Sequence, residues 1–506
     1  MMQVLLGIDI GTSGCKALLI DTEGKVVAAD TATYPLSKPR PGWTEQDPEL
    51  WVEGASQAIA GVLAKVSNIE ILCVGLSGQM HGLVPLDKAY QVLRPAILWN
   101  DQRNKDECAE IVDVAGGLEG LIAETNNRML VGYTGGKILW MQRHEPELFS
   151  QINTVLNPKD YLRLRLTGEI ATEVSDASGT GLFNVRSRQW ATGLIEKIGI
   201  DPRILPPVFE SQVISGRISV EGAKRFGIPV GIPVAGGGGD SVIQTFGSGV
   251  IAPGELQTTL GTAGILAAAL DHPQDNPDGR LQIFCNIAEN KWHCMGVSLN
   301  AGGAMSWFRD TFYSGINMSA ITFEQIVQQA ETSIAGARGL LFLPYLYGER
   351  CPHPDPMARA ALVGMTARHH SGDIARAVME GIVYALADMY GLMKPLNIEG
   401  HLIKASGGGA KSQLWRQIQA DVFGCPVVTN DGAAEGAAFG AALVAGLAIG
   451  VWSDAENAIK NFSHITCENP HSSTIEIYRQ LHCLYRDLYP VLGQTFTALG
   501  NAQFDQ

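Results

Sequence analysis

A single acid follows four consecutive glycines near the middle of the chain, in the string GGGGDSV from Gly236 to Val242. Glycine is costly to order because it loses more backbone freedom on folding than any other residue. One interpretation of the glycine stretch is a flexible linker between two halves of the chain. The other is a carboxylate, Asp240, held where a substrate backbone or phosphate must pass close by.

A second acid, Asp9, stands near the end of the apolar run Val4–Ile10, one residue before the turn GTSG. Backbone N–H groups in such glycine-rich turns form concavities that bind anionic oxygens. The hydroxyls of Thr12 and Ser13 would add donors, and Asp9 can hold a hydrated Mg²⁺ because this ion prefers oxygen ligands. The alternative is a plain hairpin turn.

Two more glycine-rich turns stand in the second half of the chain. The first, LGTAG at Leu260–Gly264, repeats the Gly-Thr pair of the opening turn, so we expect the two turns to hold a polyphosphate such as ATP from two sides. The second, ASGGGAKS, contains Gly408 and Gly409 but has alanine where a Walker A motif has the glycine before Lys411. It predicts a shelf for a nucleoside, and a tight turn with close helix packing is the alternative.

Two loops carry polar side chains that suit a sugar. GQMHG places Gln79, Met80 and His81 directly after an apolar run. His81 can serve as a general base, a metal ligand, a partner of a sugar hydroxyl or a buried structural imidazole. Of these roles the metal ligand is the least expected, because the sequence has no Cys/His cluster near His81. WNDQR places Asp101 and Arg103 beside an indole ring, which suits a polyol, although a surface loop with one buried tryptophan fits the pattern equally well.

The elements that must position these residues follow from hydrophobic patterning. At the N-terminus, apolar runs separated by GTSG and TEG predict a meander of strands joined by tight turns. Asp47 can cap a helix that follows, with Pro48 in its first turn, and a strand is expected over Ile69–Leu76. Residues 254–271 repeat the strand, Gly-Thr turn, strand and acid of the opening, which indicates two domains built on one plan with a boundary near 248–254.

Two later stretches predict helices. Residues 372–393 place apolar side chains on one face at helical spacing, which predicts a long amphipathic helix. Gly436–Ser453 holds no charged residue over 18 positions, the lower limit of a membrane span. Because this stretch is mostly alanine and glycine, a helix buried in a core and approached closely by other backbone explains it better.

Composition limits the classes of function. The chain has 506 residues, enough for two or more domains, and its formal net charge of -14 argues against a general nucleic-acid binder. Its 9 cysteines are dispersed without a CxxC pair, which favours reduced thiols in a cytoplasmic protein and no zinc site. The opening MMQVLLGIDIG lacks a basic region, so we expect no signal peptide.

Two longer strings carry a resemblance to a known family. One is GYTGGKILW at Gly132–Trp140, and the other is AALVGMTARHHSGDIARAVME at Ala360–Glu380. In both, the chain resembles the FGGY family of carbohydrate kinases, and the resemblance extends over essentially its whole length. It implies an α/β fold of the ribonuclease-H-like, actin-type ATPase class, with two domains around a deep cleft. The expected domains are 1–248, for sugar binding and the catalytic base, and 249–506, for the nucleotide.

The same resemblance implies roles by position. Asp240 would be the general base that takes the proton of the sugar hydroxyl, and Asp9 would lie near Mg²⁺ and be important for activity. The residues expected to contact the sugar are Gln79, Met80, His81, Asp101 and Ser241. The residues expected to bind ATP are Gly11, Thr12, Ser13, Gly261, Thr262, Gly302, Gly408 and Gly409.

The preferred sugar is implied by five further strings. WTEQDPELW, GQMHG, RPAILWNDQR, PKDYLRLRLTGE and FLPYLYGERCPH are similar to the forms in those members that phosphorylate D-xylulose. They imply ATP-dependent formation of D-xylulose 5-phosphate in pentose catabolism, by a cytoplasmic enzyme that binds neither nucleic acid nor membrane and that can form a homodimer. Those members often carry Asn directly after the catalytic acid, where this chain has Ser241. The alternatives are a kinase of the same family for another sugar or polyol and, more remotely, an actin-like ATPase without a sugar substrate.

Overall fold

The computed structural model describes residues 1–313, 321–430, 432, 435–462 and 464–502, and the chain divides into two compact units. The first unit comprises Met1–Ile251, Leu270–His293 and Glu435–Phe462. The second comprises Ala252–Ala269, Cys294–Ala434 and Ser463–Gln506. The first unit therefore takes segments from both halves of the chain.

Both units combine strands and helices. The strands are β1 (Met2–Ile10), β2 (Gly14–Asp21), β3 (Val26–Thr33), β4 (Glu45–Gln46), β5 (Ile69–Gly78), β6 (Val84–Leu86), β7 (Ala96–Ile97), β8 (Thr154–Leu156), β9 (Thr172–Glu173), β10 (Phe183–Asn184), β11 (Gln189–Trp190), β12 (Val208–Phe209), β13 (Ile214–Arg217), β14 (Pro233–Ala235), β15 (Gly238–Gly239), β16 (Gly254–Leu260), β17 (Gly264–Leu270), β18 (Gln282–Cys285), β19 (Trp292–Ser298), β20 (Leu341–Leu343), β21 (Ala361–Val363), β22 (Gly400–Ser406), β23 (Val427–Asn430) and β24 (His464–Glu468).

The α-helices are α1 (Pro48–Ala64), α2 (Lys105–Val114), α3 (Gly117–Thr125), α4 (Thr134–His144), α5 (Pro146–Phe149), α6 (Pro158–Thr167), α7 (Val174–Ser178), α8 (Thr192–Lys197), α9 (Val220–Phe226), α10 (Asp240–Gly247), α11 (Gly302–Phe312), α12 (Phe323–Glu331), α13 (Ser371–Met393), α14 (Gln413–Phe423), α15 (Ala437–Ala448), α16 (Ala455–Ile459) and α17 (Ser472–Asn501). Short 3₁₀ helices lie at Pro202–Ile204, Ala337–Gly339, Lys394–Leu396 and Gly408–Lys411.

The central sheet of the first unit has the strand order β13-β14-β5-β1-β2-β3, and β15 also pairs with β5. The predicted meander is confirmed, because β1 pairs antiparallel with β2 and β2 pairs antiparallel with β3. The predicted helix cap is also confirmed, since the Asp47 side chain accepts a hydrogen bond from the Glu49 N–H at the start of α1. Alternate strand residues face opposite sides, so Leu6 joins the core beside Trp51 of α1 while Gly7 faces α15.

Helix α15 covers this second face of the sheet at very close range. A Cβ atom on Gly7 would lie 1.9 Å from the Ala438 carbonyl oxygen, and one on Gly75 would lie 1.8 Å from the Ala441 carbonyl oxygen. Both distances are far below van der Waals contact, so only glycine fits at these strand positions. The uncharged stretch therefore forms a buried helix, as predicted. No helix among the described residues combines the length and the apolar character that crossing a membrane requires.

The second unit repeats the pairing scheme of the first. Six of its strands follow the order β19-β17-β16-β22-β23-β24. β16 pairs antiparallel with β17 and parallel with β22, just as β1 pairs antiparallel with β2 and parallel with β5. These pairings confirm the internal repeat that the Gly-Thr turns indicate.

Helix α13 lies where it was predicted, but the expectation of one buried face is wrong. Every residue from Ala375 to Met389 is buried. Two of the charged positions can be buried because they pair with each other: Arg376 Nε donates to Glu380 Oε1 at 2.8 Å, and the hydroxyl of Tyr478 donates to the same oxygen at 2.8 Å. A charge in the sequence therefore marked an internal ion pair rather than a solvent-facing side of the helix.

Candidate active site

The glycines before Asp240 do not form a linker. Gly238–Gly239 make strand β15, which pairs with the end of β5. A Cβ atom on Gly237, which has a φ of 77°, would lie 2.1 Å from the Leu76 carbonyl oxygen. The glycines therefore let this segment run directly against β5, and Asp240 follows as the first residue of α10.

Asp9 and Asp240 are both acids with raised pKa values. Asp9 Oδ1 accepts a hydrogen bond from Ser77 Oγ at 2.8 Å, and burial raises its pKa more than this bond and the charge of Lys16 lower it. Burial, followed by the charge of Asp9, raises the pKa of Asp240 to about 7, while a hydrogen bond from the Ser241 N–H opposes the shift. Both residues are partly exposed to solvent. A carboxylate that titrates near neutral pH is suited to general-base chemistry.

The first Gly-Thr turn is bonded to the QMHG loop. Thr12 Oγ1 donates to Gln79 Oε1 at 3.0 Å and accepts from Trp99 Nε1 at 3.0 Å. Gln79 Nε2 in turn donates to Gln46 Oε1 at 3.3 Å, and Gln46 Nε2 donates to the Thr12 carbonyl oxygen at 2.8 Å. The Thr12 hydroxyl is thus engaged by side chains, whereas Ser13 is exposed. Sequence reasoning missed Gln46, because only its contacts distinguish it.

The QMHG loop also contacts the start of α10. Ser241 Oγ donates to Met80 Sδ at 3.3 Å. His81 Nδ1 lies 2.6 Å from the Gly179 carbonyl oxygen, and its ring centroid lies 4.7 Å from that of Tyr133. A carbonyl oxygen only accepts hydrogen bonds, so we assign the proton of the neutral imidazole to Nδ1. In that tautomer Nε2 is the acceptor atom.

Asp101 is engaged by its own neighbours. It is 0% exposed, and its carboxylate accepts hydrogen bonds from the Thr44 N–H at 2.6 Å, Arg103 Nη2 at 2.7 Å and Arg103 Nε at 2.8 Å. The Arg103 guanidinium stacks 3.7 Å from the centre of the Trp43 ring. The contacts present at Asp101 therefore organise this loop, and a direct bond from Asp101 to a sugar stays a prediction.

A cavity of about 720 Å³ lies within the second unit. It is lined by residues that the sequence indicated for the nucleotide, namely Gly261, Thr262, Gly302, Gly408 and Gly409. Gly302 must be glycine, since a Cβ atom there would lie 2.5 Å from the Gly261 carbonyl oxygen. A cavity of this size accommodates a nucleoside or similar small molecule.

Sequence reasoning missed one wall of this cavity. That wall is formed by side chains of α12 and α14, among them Phe323, Glu324, Val327, Gln328, Glu331 and Trp415. The α12 positions recur at three- and four-residue spacing, which places them on one face of the helix. This periodicity was the available signal, although it does not tell a ligand-facing side from a protein-facing one.

Sequence reasoning also missed a buried cluster of charges next to Asp240. Lys159 Nζ lies 2.6 Å from Asp160 Oδ1 and 3.4 Å from Asp176 Oδ2, and all three side chains are 0% exposed. Burial raises the pKa of Asp176 well above its usual range. Ser175, the residue before Asp176, accepts a hydrogen bond through its Oγ from the N–H of Gly239 at 3.0 Å, and Gly239 directly precedes Asp240. The cluster therefore anchors the backbone on which Asp240 stands.

The described residues contain no group of three or more His, Cys, Asp or Glu side chains that could hold a metal ion by themselves. Asp9 offers one partly exposed carboxylate. One carboxylate still fits Mg²⁺, since in phosphoryl-transfer sites this ion takes one or two protein oxygens and fills its remaining positions with water and phosphate.

Both halves of the chain match models of one family. Residues 4–247 match the N-terminal domain, and residues 256–449 match the C-terminal domain, of the FGGY family of carbohydrate kinases. The chain is 36% identical over 502 residues to a xylulose kinase of Bacillus subtilis (strain 168), covering 98% of this chain and 99% of the relative. It is 39% identical over 424 residues to a xylulose kinase of Escherichia coli (strain K12), covering 83% of this chain and 84% of the relative.

Solved structures agree with the fold. A xyloylose kinase from Brucella ovis superposes with a TM-score of 0.90 at 34% identity, covering 97% of this chain and all of the other. A gluconate kinase from Lactobacillus acidophilus superposes with a TM-score of 0.92 at 28% identity, covering 99% of this chain and all of the other. The predicted two-domain α/β fold is confirmed, and the likeness to kinases with two different names means that the fold alone does not identify the sugar.

Proposed function

Because the chain belongs to the FGGY family of carbohydrate kinases, we propose that it transfers the γ-phosphoryl group of ATP to D-xylulose, giving D-xylulose 5-phosphate. One observation carries the proposed sugar: the 36% identity to the B. subtilis xylulose kinase extends over 98% of the chain. The matched region spans both domains, so it covers the segments that carry the candidate site as well as the rest of the fold.

In this proposal Asp240 is the general base. Its carboxylate accepts the proton of the attacking sugar hydroxyl as that oxygen forms a bond to the γ-phosphorus and the bond to the β-phosphate oxygen breaks. Positioning and neutralisation of charge supply most of the remaining catalysis in phosphoryl transfer. Asp9 would hold Mg²⁺, which offsets phosphate charge when it is bound.

The two substrates would bind to separate groups of residues. The nucleotide would occupy the cavity of the second unit, with its phosphates near the Gly261–Thr262 turn and its nucleoside against Gly408–Gly409. Gly11, Thr12 and Ser13 are proposed as further phosphate-binding residues. The sugar would contact Met80 and His81, with further contacts expected from Gln79, Asp101 and Ser241. In the tautomer assigned above, Nε2 of His81 would accept a hydrogen bond from a sugar hydroxyl.

A panel of sugars in an ADP-release assay tests the substrate. D-Xylulose should give the highest kcat/KM, and gluconate, D-ribulose and glycerol should give much lower values. A clear preference for another member of the panel would overturn D-xylulose and leave the kinase assignment in place. ADP release that no sugar stimulates would contradict sugar phosphorylation itself.

The variant Asp240→Asn tests the proposed base. It keeps the size and polarity of the side chain but cannot take up a proton, so kcat should fall by about 10²- to 10⁴-fold. Nucleotide binding and the far-UV circular dichroism spectrum should be unchanged. Asp113→Asn is the matched control, because Asp113 is an exposed acid on α2. Near-normal turnover of Asp240→Asn would remove Asp240 from the role of base.

A further inference from the structure

His81 has a backbone conformation that is uncommon for residues other than glycine. Its φ angle is 72°, in the left-handed region that glycine adopts readily and other residues avoid. A non-glycine residue held there is strained and persists only where its surroundings fix it. The neighbours that hold His81 therefore determine where its imidazole points.

Two side chains of one helix hold the His81 carbonyl oxygen. Lys137 Nζ donates to it at 2.8 Å, and Thr134 Oγ1 donates to it at 3.1 Å. Lys137 also donates to the Gly132 carbonyl oxygen at 2.6 Å, which ties the QMHG loop to the chain entering α4. Residues three apart in a helix lie on the same side, so Thr134 and Lys137 reach one oxygen together.

The other end of His81 is fixed as well. Its Nδ1 donates to the Gly179 carbonyl oxygen at 2.6 Å, and its ring packs against Tyr133, the residue before α4. His81 is therefore fixed at two places: its carbonyl oxygen is held by Lys137 and Thr134, and its ring is held by Gly179. A shift of the His81 peptide would move the imidazole away from Gly179.

A lysine at position 137 carries a desolvation cost that a purely structural position does not require. Its side chain is 0% exposed, and burial lowers the pKa of the amine to about 7. An apolar side chain would fill a helix core without this desolvation cost. The amine is useful at this position because it bonds two carbonyl oxygens that an apolar residue would leave unpaired.

We propose that Lys137 and Thr134 are positioning residues for the sugar: they hold the strained His81 peptide so that the imidazole is presented to the sugar in one orientation. This inference rests on the proposed function, in which His81 contacts the sugar. It gives the Thr and the Lys of GYTGGKILW a physical task, although neither is proposed to touch a substrate. Their loss should therefore act on sugar binding more than on nucleotide binding.

Thr134→Val is the decisive variant, because it keeps the shape of the side chain and removes the hydroxyl that donates to the His81 carbonyl oxygen and accepts a longer, 3.4 Å bond from Asn157 Nδ2. The KM for the sugar should rise about threefold to tenfold, the usual effect of losing one hydrogen bond. The KM for ATP should change by less than about twofold. Thr134→Ser restores the hydroxyl and should return the sugar KM to the wild-type value.

Thr125→Val is the matched control. Thr125 is also buried and also donates to main-chain carbonyl oxygens, those of Leu121 and Asn127, at 3.0 and 3.1 Å. Its variant loses the same kind of bond at a place that does not contact His81. It should lower the thermal midpoint and leave the sugar KM unchanged.

Lys137→Met provides a second, stronger test and should raise the sugar KM by more than Thr134→Val does. If Lys137→Met fails to fold, the comparison of Thr134→Val with Thr134→Ser still tests the positioning role. An unchanged sugar KM in Thr134→Val, or a Thr134→Ser variant as impaired as Thr134→Val, would overturn the inference. An equal rise of the sugar KM in Thr134→Val and Thr125→Val would also overturn the inference, because both variants would then act only through the stability of the fold.

His81→Ala separates this inference from the proposed function. A raised sugar KM in His81→Ala with an unaffected Thr134→Val would leave the sugar contact in place and overturn only the positioning role. An unaffected sugar KM in His81→Ala would overturn the contact and the positioning role together. The assay should use whichever sugar the panel selects, so a wrong choice of sugar affects neither outcome.

Discussion

Asp240 stands where burial and a neighbouring acid both oppose its ionisation. The same two effects raise its pKa to about 7 and make its carboxylate a stronger proton acceptor than an exposed aspartate. The hydrogen bond from the Ser241 N–H opposes this shift. The chemistry of this residue is therefore set by its surroundings rather than by its type alone.

The pH dependence of activity follows from this pKa. A base must be ionised to accept a proton, so kcat/KM for the sugar should fall about tenfold for each pH unit below about 7 and reach a plateau above it. The measurement is kcat/KM at saturating ATP from about pH 5.5 to about pH 8.5. A flat profile over this range would contradict the assignment of Asp240 as the titrating base.

The stability of Asp240→Asn supplies an independent check on the same pKa. A carboxyl whose pKa is raised on folding lets the folded state bind more protons than the unfolded state between about pH 4 and about pH 7, so wild-type stability falls as pH rises through this window. Asn at position 240 does not titrate, so the variant does not lose stability in this window. The thermal midpoint of Asp240→Asn should match the wild type near about pH 4 and exceed it by about 2–4 °C near about pH 8.

The residues of the candidate site differ in how far the sequence indicates them. Asp240 can be singled out because four glycines precede it, an arrangement that is costly without a reason. His81 can be named as polar and loop-borne, but its left-handed backbone is visible only in the structure. Lys137 cannot be given a task from the sequence, because its partners are main-chain carbonyl oxygens, which every residue carries.

At the scale of elements, the close contact between α15 and the central sheet depends on single glycines. The composition of α15 indicates a helix approached by other backbone, and that much can be predicted. Its partners, β1 and β5, cannot, because more than 350 residues separate them from α15 in the sequence. A pattern within one element describes its faces, but it contains no information about which distant element covers each face.

Gly75→Ala should destabilise the protein. The new Cβ atom would lie 1.8 Å from the Ala441 carbonyl oxygen, so α15 must move or the strand must bend, at a cost of about 1–3 kcal/mol or more. Gly391→Ala on α13 is the matched control, because its Cβ would meet no atom within 4 Å. That variant should gain about 0.5–1 kcal/mol, since alanine is the better helix former. Thermal midpoints of both variants, measured side by side, check the pair, and similar midpoints would contradict the packing described for α15.

On the scale of the whole molecule, the chain does not complete one unit before it begins the next. It passes between the units after residues 251, 269, 293, 434 and 462. The segment Glu435–Phe462, which contains α15, returns to the first unit from near the C-terminus. A division of the sequence into two consecutive halves would therefore separate α15 from the sheet that it covers.

A fragment of residues 1–248 should consequently not fold cooperatively on its own. Without α15 it would expose the face of β1 and β5 on which Gly7 and Gly75 lie, and flat apolar surface of this kind drives aggregation. Near-UV circular dichroism and a thermal melt should show neither fixed tertiary packing nor a sharp transition. Fusing 270–293 and 435–462 to this fragment through flexible linkers should restore both, while a fusion that carries 435–462 with charged residues at Ala438 and Ala441 should not. A sharp, reversible transition in residues 1–248 alone would show that the sheet is stable without α15.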